Sequence, residues 1–241
     1  MKQFPKTEIF SLFSVVFGII GMTLQSWLFS TVDSSGLLSH SHIASILSFI
    51  LLAVLVAANA MFLKNAKPDG VYEWLFPQSI VAAAGCWIAA IGMGASAFIP
   101  VATGFLRILV RLLGALSALA LGFAGYCRLQ GRRPNCLAYA AVSLYLIFRT
   151  LAVCQVWSAE VQVQTYFFPL LATLSLLIAA YYRAALGADL KNCRQYLFFR
   201  QLALFCCLLS VVGGDGLFHI TGAVWMATDF CTPDAFGKYA Q

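Results

Sequence analysis

An all-α bundle embedded in a membrane is the fold class this sequence predicts, and composition, segment length and charge placement each point to it. Of the 241 residues, 61% are hydrophobic and 10% are charged, with a mean hydropathy of +0.87. A soluble domain carries about a quarter charged residues, so this chain has too little polar surface to cover itself in water. Apolar stretches near the roughly 20 residues that cross a bilayer recur along it. The basic residues between those stretches fall on alternate connections.

The predicted spans are Ile9–Phe29, Ile43–Leu63, Ser79–Phe98, Ala102–Tyr126, Leu137–Trp157, Val163–Tyr182 and Leu202–Thr228. Lys2 and Lys6 before the first resemble the basic start of a signal peptide, but the segment is long for one and no small-x-small cleavage site follows. It reads as retained. Lys64 and Lys67 close the second span, and Pro68-Asp69-Gly70 with Pro77 punctuates the approach to the third. Pro100 marks a tight turn into the fourth, and Gly131 with Pro134 separates the fourth from the fifth. Trp27, Trp74, Trp157, Tyr166, Tyr181 and Tyr182 stand near predicted span ends, as interfacial aromatic belts do. The seventh span contains Gly213-Gly214-Asp215-Gly216, a poor helix sequence inside an apolar run. In lipid each segment must satisfy its own backbone, which makes these stretches helices. The alternation of barrel strands is absent. No repeat or linker divides residues 1–241, so they read as one transmembrane domain of seven helices.

Orientation follows from lysine and arginine. Lys2, Lys6, Lys64, Lys67, Arg128, Arg132, Arg133, Arg183, Lys191, Arg194 and Arg200 fall on one side, and Lys238 alone falls on the other. Eleven against one places the N-terminus in the cytoplasm and, after seven crossings, the C-terminus outside. The formal charge of +6 is thereby explained by topology and anionic lipid, and nucleic acid is not implied.

Five ionisable residues inside the spans are the candidate ligand-binding set: Arg107, Arg111, Arg149, Asp215 and His219. At 100° per residue, Arg107, Arg111, Gly114, Ala118, Gly122 and Gly125 share one stripe of the fourth span. Small residues at four-residue spacing let membrane helices approach closely, so the stripe faces a neighbour. Arg149 lies roughly 12 Å below the predicted span end. Unpaired there it costs at least about 2.5–3.5 kcal/mol, and Asp215, flanked by glycines and followed one turn later by His219, is the economical partner. Three glycines around an acid predict close packing or a locally opened helix. Gln25 and Asn59 read as interhelical glue. The eight cysteines form no CxxC, and His40 and His42 read as exposed loop residues. No metal or cofactor is implied.

Tyr145 with Arg149, Trp157-Ser158 followed by Gln162 and Tyr166, Tyr182-Arg183-Ala184, Gly214-Asp215 and Trp225 carry a resemblance of about residues 145–229. The segment resembles small multi-pass proteins of clostridial-type Gram-positive bacteria, which implies a bacterial cytoplasmic membrane and no particular activity. Two other seven-helix families do not fit. A microbial rhodopsin needs a lysine in its last helix, where this chain has none. The haemolysin III and progestin-receptor-like group needs HxxxH there, and this chain reads Asp215-x3-His219 with no histidine inside the second span and no aspartate in the third. Two ligands do not make a zinc site. The expected function is binding, sensing or transport of a small anionic or amphipathic solute through a polar cavity in the outer half of the bundle. The alternatives are a structural or accessory membrane subunit whose charges fix helix packing, and a membrane-embedded hydrolase.

Overall fold

The computed structural model describes residues 5–30, 43–65, 76, 78–99, 104–157, 163–190, 192–213 and 215–229. Among them are eight helices and no strand: α1 (Pro5–Ser30), α2 (Ile43–Asn65), α3 (Ile80–Phe98), α4 (Gly104–Leu129), α5 (Cys136–Trp157), α6 (Val163–Gly187), α7 (Cys193–Leu209) and α8 (Gly216–Thr228). The six helices α1–α6 are each long and apolar enough to cross a membrane, as expected of a multi-pass membrane protein. Their ends fall close to the predicted ones because the same apolar run both fills the bilayer and forms the helix.

Helices α3, α4, α5, α6 and α7 pack as successive neighbours, except that α7 reaches α3 only through α8. Helix α1 lies along α7, and α2 joins it from outside. Gly18 fits against Leu208, and Ser11 Oγ accepts from Arg200 and Gln201 of α7. Gln25 Nε2 donates to Ser48 Oγ at 3.2 Å, tying α1 to α2 as expected of interhelical glue. Asn59, the other residue given that role, is buried without a hydrogen bond to either amide atom. Isoleucines and leucines such as Ile91, Leu112 and Leu119 point outward, presenting an apolar surface suited to lipid.

The predicted seventh span requires correction. Leu202–Thr228 is not one helix: α7 begins at Cys193 and ends at Leu209, and α8 begins only at Gly216. The chain turns because Ser210 N donates back to the carbonyls of Cys206 and Cys207 and Gly213 N donates to Ser210 O, closing the last turn tightly. A Cβ at Gly216 would lie 2.5 Å from the Val211 carbonyl, so glycine is required in the turn. Helix α8 then runs back along α7. Arg200 Nε donates to Met226 O at 2.8 Å, Cys207 Sγ lies beside Gly222, and Val211 lies beside Gly216. Sequence positions rising on one helix and falling on the other define an antiparallel hairpin. On its other side α8 lies against α3, where Gly85 and Gly92 admit the side chains of Thr228 and Thr221.

The hairpin returns the chain to the end where the basic residues gather. There Gln78 Nε2 donates to Leu129 O, Arg133 donates to Gly187 O at 2.7 Å and pairs with Asp189, and Arg128 donates to Asp229 O at 2.8 Å. Asp229, the residue after α8, therefore stands at this basic end. An exit on the opposite face, as seven crossings required, does not follow from this geometry.

Candidate functional site

Helix α8 has 13 residues and rises about 20 Å, so the hairpin tip stands about two-thirds of the way through a hydrocarbon core of about 30 Å, counted from Asp229. Asp215 occupies the N-cap of α8 with no side-chain capping bond. An aspartate there ordinarily accepts from the first free backbone N–H groups. Its Oδ2 instead meets Arg149 Nη2 of α5 in an ion pair.

Arg149 is 1% exposed and fully engaged. Its Nη1 donates to Tyr145 OH at 2.8 Å, one turn earlier on α5, and Tyr145 OH donates to Met93 O of α3 at 3.3 Å. The guanidinium also lies 4.0 Å from the Phe218 ring centroid, a cation–π contact from α8 itself. The Asp215 side chain remains 23% exposed. The pair is thus asymmetric, with its cation rigidly held on a long helix and its anion on a glycine-flanked turn.

The other three sequence-predicted residues do not join this ion pair. His219 is buried one turn into α8, edge-on to Phe218, and neither ring nitrogen has a hydrogen-bond partner among the described residues. Arg111 is half-buried and donates to Phe98 O at 3.5 Å. Arg107 is exposed, the arrangement of an arginine snorkelling toward headgroups. The small-residue stripe does face α3: Gly114 meets Ala97, Ala118 stands 3.0 Å from where a Cβ on Gly94 would be, and Gly125 sits under Trp87. Gly122 departs from it, with open space where a Cβ would stand, although its carbonyl accepts the Trp87 indole N–H at 3.2 Å.

A second charge cluster, not anticipated from the sequence, closes the other end of α8. Asp229 is buried, with one carboxylate oxygen 3.1 Å from Arg183 Nη2 and the other accepting from Tyr196 OH. Arg128 and Arg200 donate to the carbonyls of Asp229, Met226 and Ala227, acceptors that the end of a helix leaves without internal donors. Arg183 packs 3.0 Å from the Phe76 ring centroid. Each arginine stands near the end of an apolar run and so reads as a loop charge. The usable signal was Asp229 itself, an acid placed directly after the last apolar residue.

Among the described residues no group of three His, Cys, Asp or Glu side chains could hold a metal ion. Cys154 is a free, exposed thiol. His40, His42, Glu160, Cys231 and Lys238 lie outside the described residues. No family model, curated protein or solved structure matches the chain.

Proposed function

We propose that this protein is a bacterial cytoplasmic-membrane protein with six spanning helices around a re-entrant helical hairpin, both termini facing the cytoplasm, and that it binds a small anionic solute at Arg149. The observation that carries the reading is the asymmetric pair at the tip: a buried, immobile guanidinium whose counter-ion is a partly exposed carboxylate. Orientation is supported by the basic bias. With the hairpin returning, Lys238 follows the basic end and the single exception to the eleven disappears.

An incoming anion competes with Asp215 for one cation. The displaced carboxylate, still within the membrane, is costly as an ion and takes up a proton. Anion and proton thus enter together and the site stays neutral. Tyr145 keeps Arg149 aimed at the tip, while His219 and Arg111 are the other titratable or charged groups at this level. Such an exchange serves a transporter or a sensor equally.

The test is thermal unfolding of purified protein with choline salts of formate, acetate, lactate, phosphate and sulfate at pH 5.5 and 8. A bound anion raises the midpoint saturably, more so at pH 5.5. Asp215→Asn, which mimics the protonated acid, should strengthen that response, and loss of the response in this variant would show that Asp215 is not displaced. The full engagement of Arg149 by Tyr145, Phe218 and Asp215 favours a second reading, an accessory subunit whose ion pair only locks the hairpin. Under that reading no anion shifts the midpoint.

A further inference from the structure

We infer that the hairpin tip also holds a small monovalent cation of the sodium class, in an oxygen-lined cavity between α1, α6 and the end of α7. A cavity of about 10 Å³ lies there, walled by Phe29, Phe168 and Leu209 and edged by Gln25, Pro169 and Ser210. That is room for about one water-sized sphere. The Ser210 side chain is 3% exposed, lines the cavity, and its Oγ has no hydrogen-bond partner among the described residues.

The lining is rich in acceptors. Ser48 Oγ donates its one proton to Ala44 O at 2.8 Å, so it can only accept from Gln25. This fixes the Gln25 amide with its nitrogen toward Ser48 and its carbonyl oxygen turned the other way. Pro169 lies inside α6 and has no N–H, which leaves the Thr165 carbonyl without its helical donor. Helix α7 ends at Leu209 and directs the negative end of its dipole here. An anion is disfavoured by that field. A divalent ion of the calcium type takes carboxylate ligands, and no carboxylate lines the cavity. Hydroxyl, amide and backbone oxygens at a helix C-terminus beside a broken membrane segment are the donor set that holds sodium in transporter helices.

The site uses neither Arg149 nor Asp215 and stands apart from the exchange proposed there. Purified full-length protein is unfolded thermally in sodium, potassium or choline chloride at equal concentration and fixed pH. Sodium should raise the midpoint saturably over choline, and potassium should raise it less. Ser210→Ala should raise the half-saturating sodium concentration roughly tenfold, the loss of one ligand oxygen. Gln25→Glu, which adds a negative charge to the lining, should lower it by about the same factor or more. Equal midpoints in the three salts, as a cavity holding only water gives, would overturn the assignment. So would an unchanged sodium response in Ser210→Ala or a weakened one in folded Gln25→Glu. Sodium is absent from the choline-salt anion screen and chloride is constant here, so either proposal can fail alone.

Discussion

Separating Arg149 from Asp215 perturbs the two partners unequally, and the inequality follows from burial. In Asp215→Leu the guanidinium stays 1% exposed on α5, retaining Tyr145 and Phe218 but losing its counter-ion. Removing one partner of a buried pair costs about 3–5 kcal/mol, and this variant should fall in that range. In Arg149→Leu the carboxylate left behind is 23% exposed and sits on a turn, so it can reach solvent or accept a proton. Its loss should be smaller, about 1–3 kcal/mol, and should shrink at acid pH because a neutral carboxyl needs no cation. The double variant removes both charges and should recover most of the larger loss, since well-packed apolar groups often replace a buried pair without penalty. Near the midpoint each kcal/mol moves a chain of this size by about 2–4 °C, so thermal unfolding in one detergent at pH 7 resolves all three. Additive losses in the double variant would refute the pairing. A larger loss in Arg149→Leu than in Asp215→Leu would refute the asymmetry on which the exchange rests.

Topology reporters fused at Gln3, Asp69, Gly131, Asn192 and Pro233 should report the cytoplasm, and those at Ser35 and Glu160 the outside; an outside signal at Pro233 would restore seven crossings. Gly92→Val should prevent close packing of α8 on α3, because its side chain enters the space of Thr221, and a detergent-stable, monodisperse variant would contradict that contact. Ala118→Leu should cost about 1–3 kcal/mol by overpacking against Gly94, whereas Leu119→Ala, at a position 74% exposed, should be nearly silent in unfolding. Asp229→Leu should lose about 3–5 kcal/mol by stripping the carboxylate from Arg183 and Tyr196, with Asp229→Glu recovering part of the loss.

Hydropathy makes the six spanning helices legible because one physical requirement, burial of about 20 apolar residues in lipid, sets both the run in the sequence and the helix. The same measure misleads at Leu202–Thr228. It records that the run is apolar and long, and it is blind to whether the chain crosses or doubles back. The Gly213–Gly216 stretch does signal an opened helix, and the structure breaks there. The direction taken after the break is set by tertiary contacts with no local sequence signature: glycines 85 and 92 on α3 and the arginines that receive Asp229. The Arg149–Asp215 pair is legible because an isolated intramembrane arginine has so few ways to be satisfied. Arg107 and Arg111 looked equivalent to Arg149 on that criterion, but they lie nearer the end of their helix. Arg107 is exposed and Arg111 donates to a backbone carbonyl.

The two charge clusters explain how a helix too short to span stays lodged in the bundle. Asp215 places a negative charge at the N-terminus of α8, and Arg128 and Arg200 place positive charges on the carbonyls at its C-terminus, each matching the sign the helix dipole favours. The groups come from different neighbours: Arg149 from α5, Arg128 from α4, Arg183 from α6 and Arg200 from α7. The ends are not equally secure. At the basic end Asp229 is 1% exposed and held by Arg183, Tyr196 and, through its carbonyl, Arg128. At the tip Asp215 has one arginine and an Oδ1 without a partner. A solute that takes Arg149 therefore releases the weaker end and leaves the stronger one intact. Motion of the hairpin is then a tilt about Asp229 rather than a displacement, largest at the glycine turn beside Ser210.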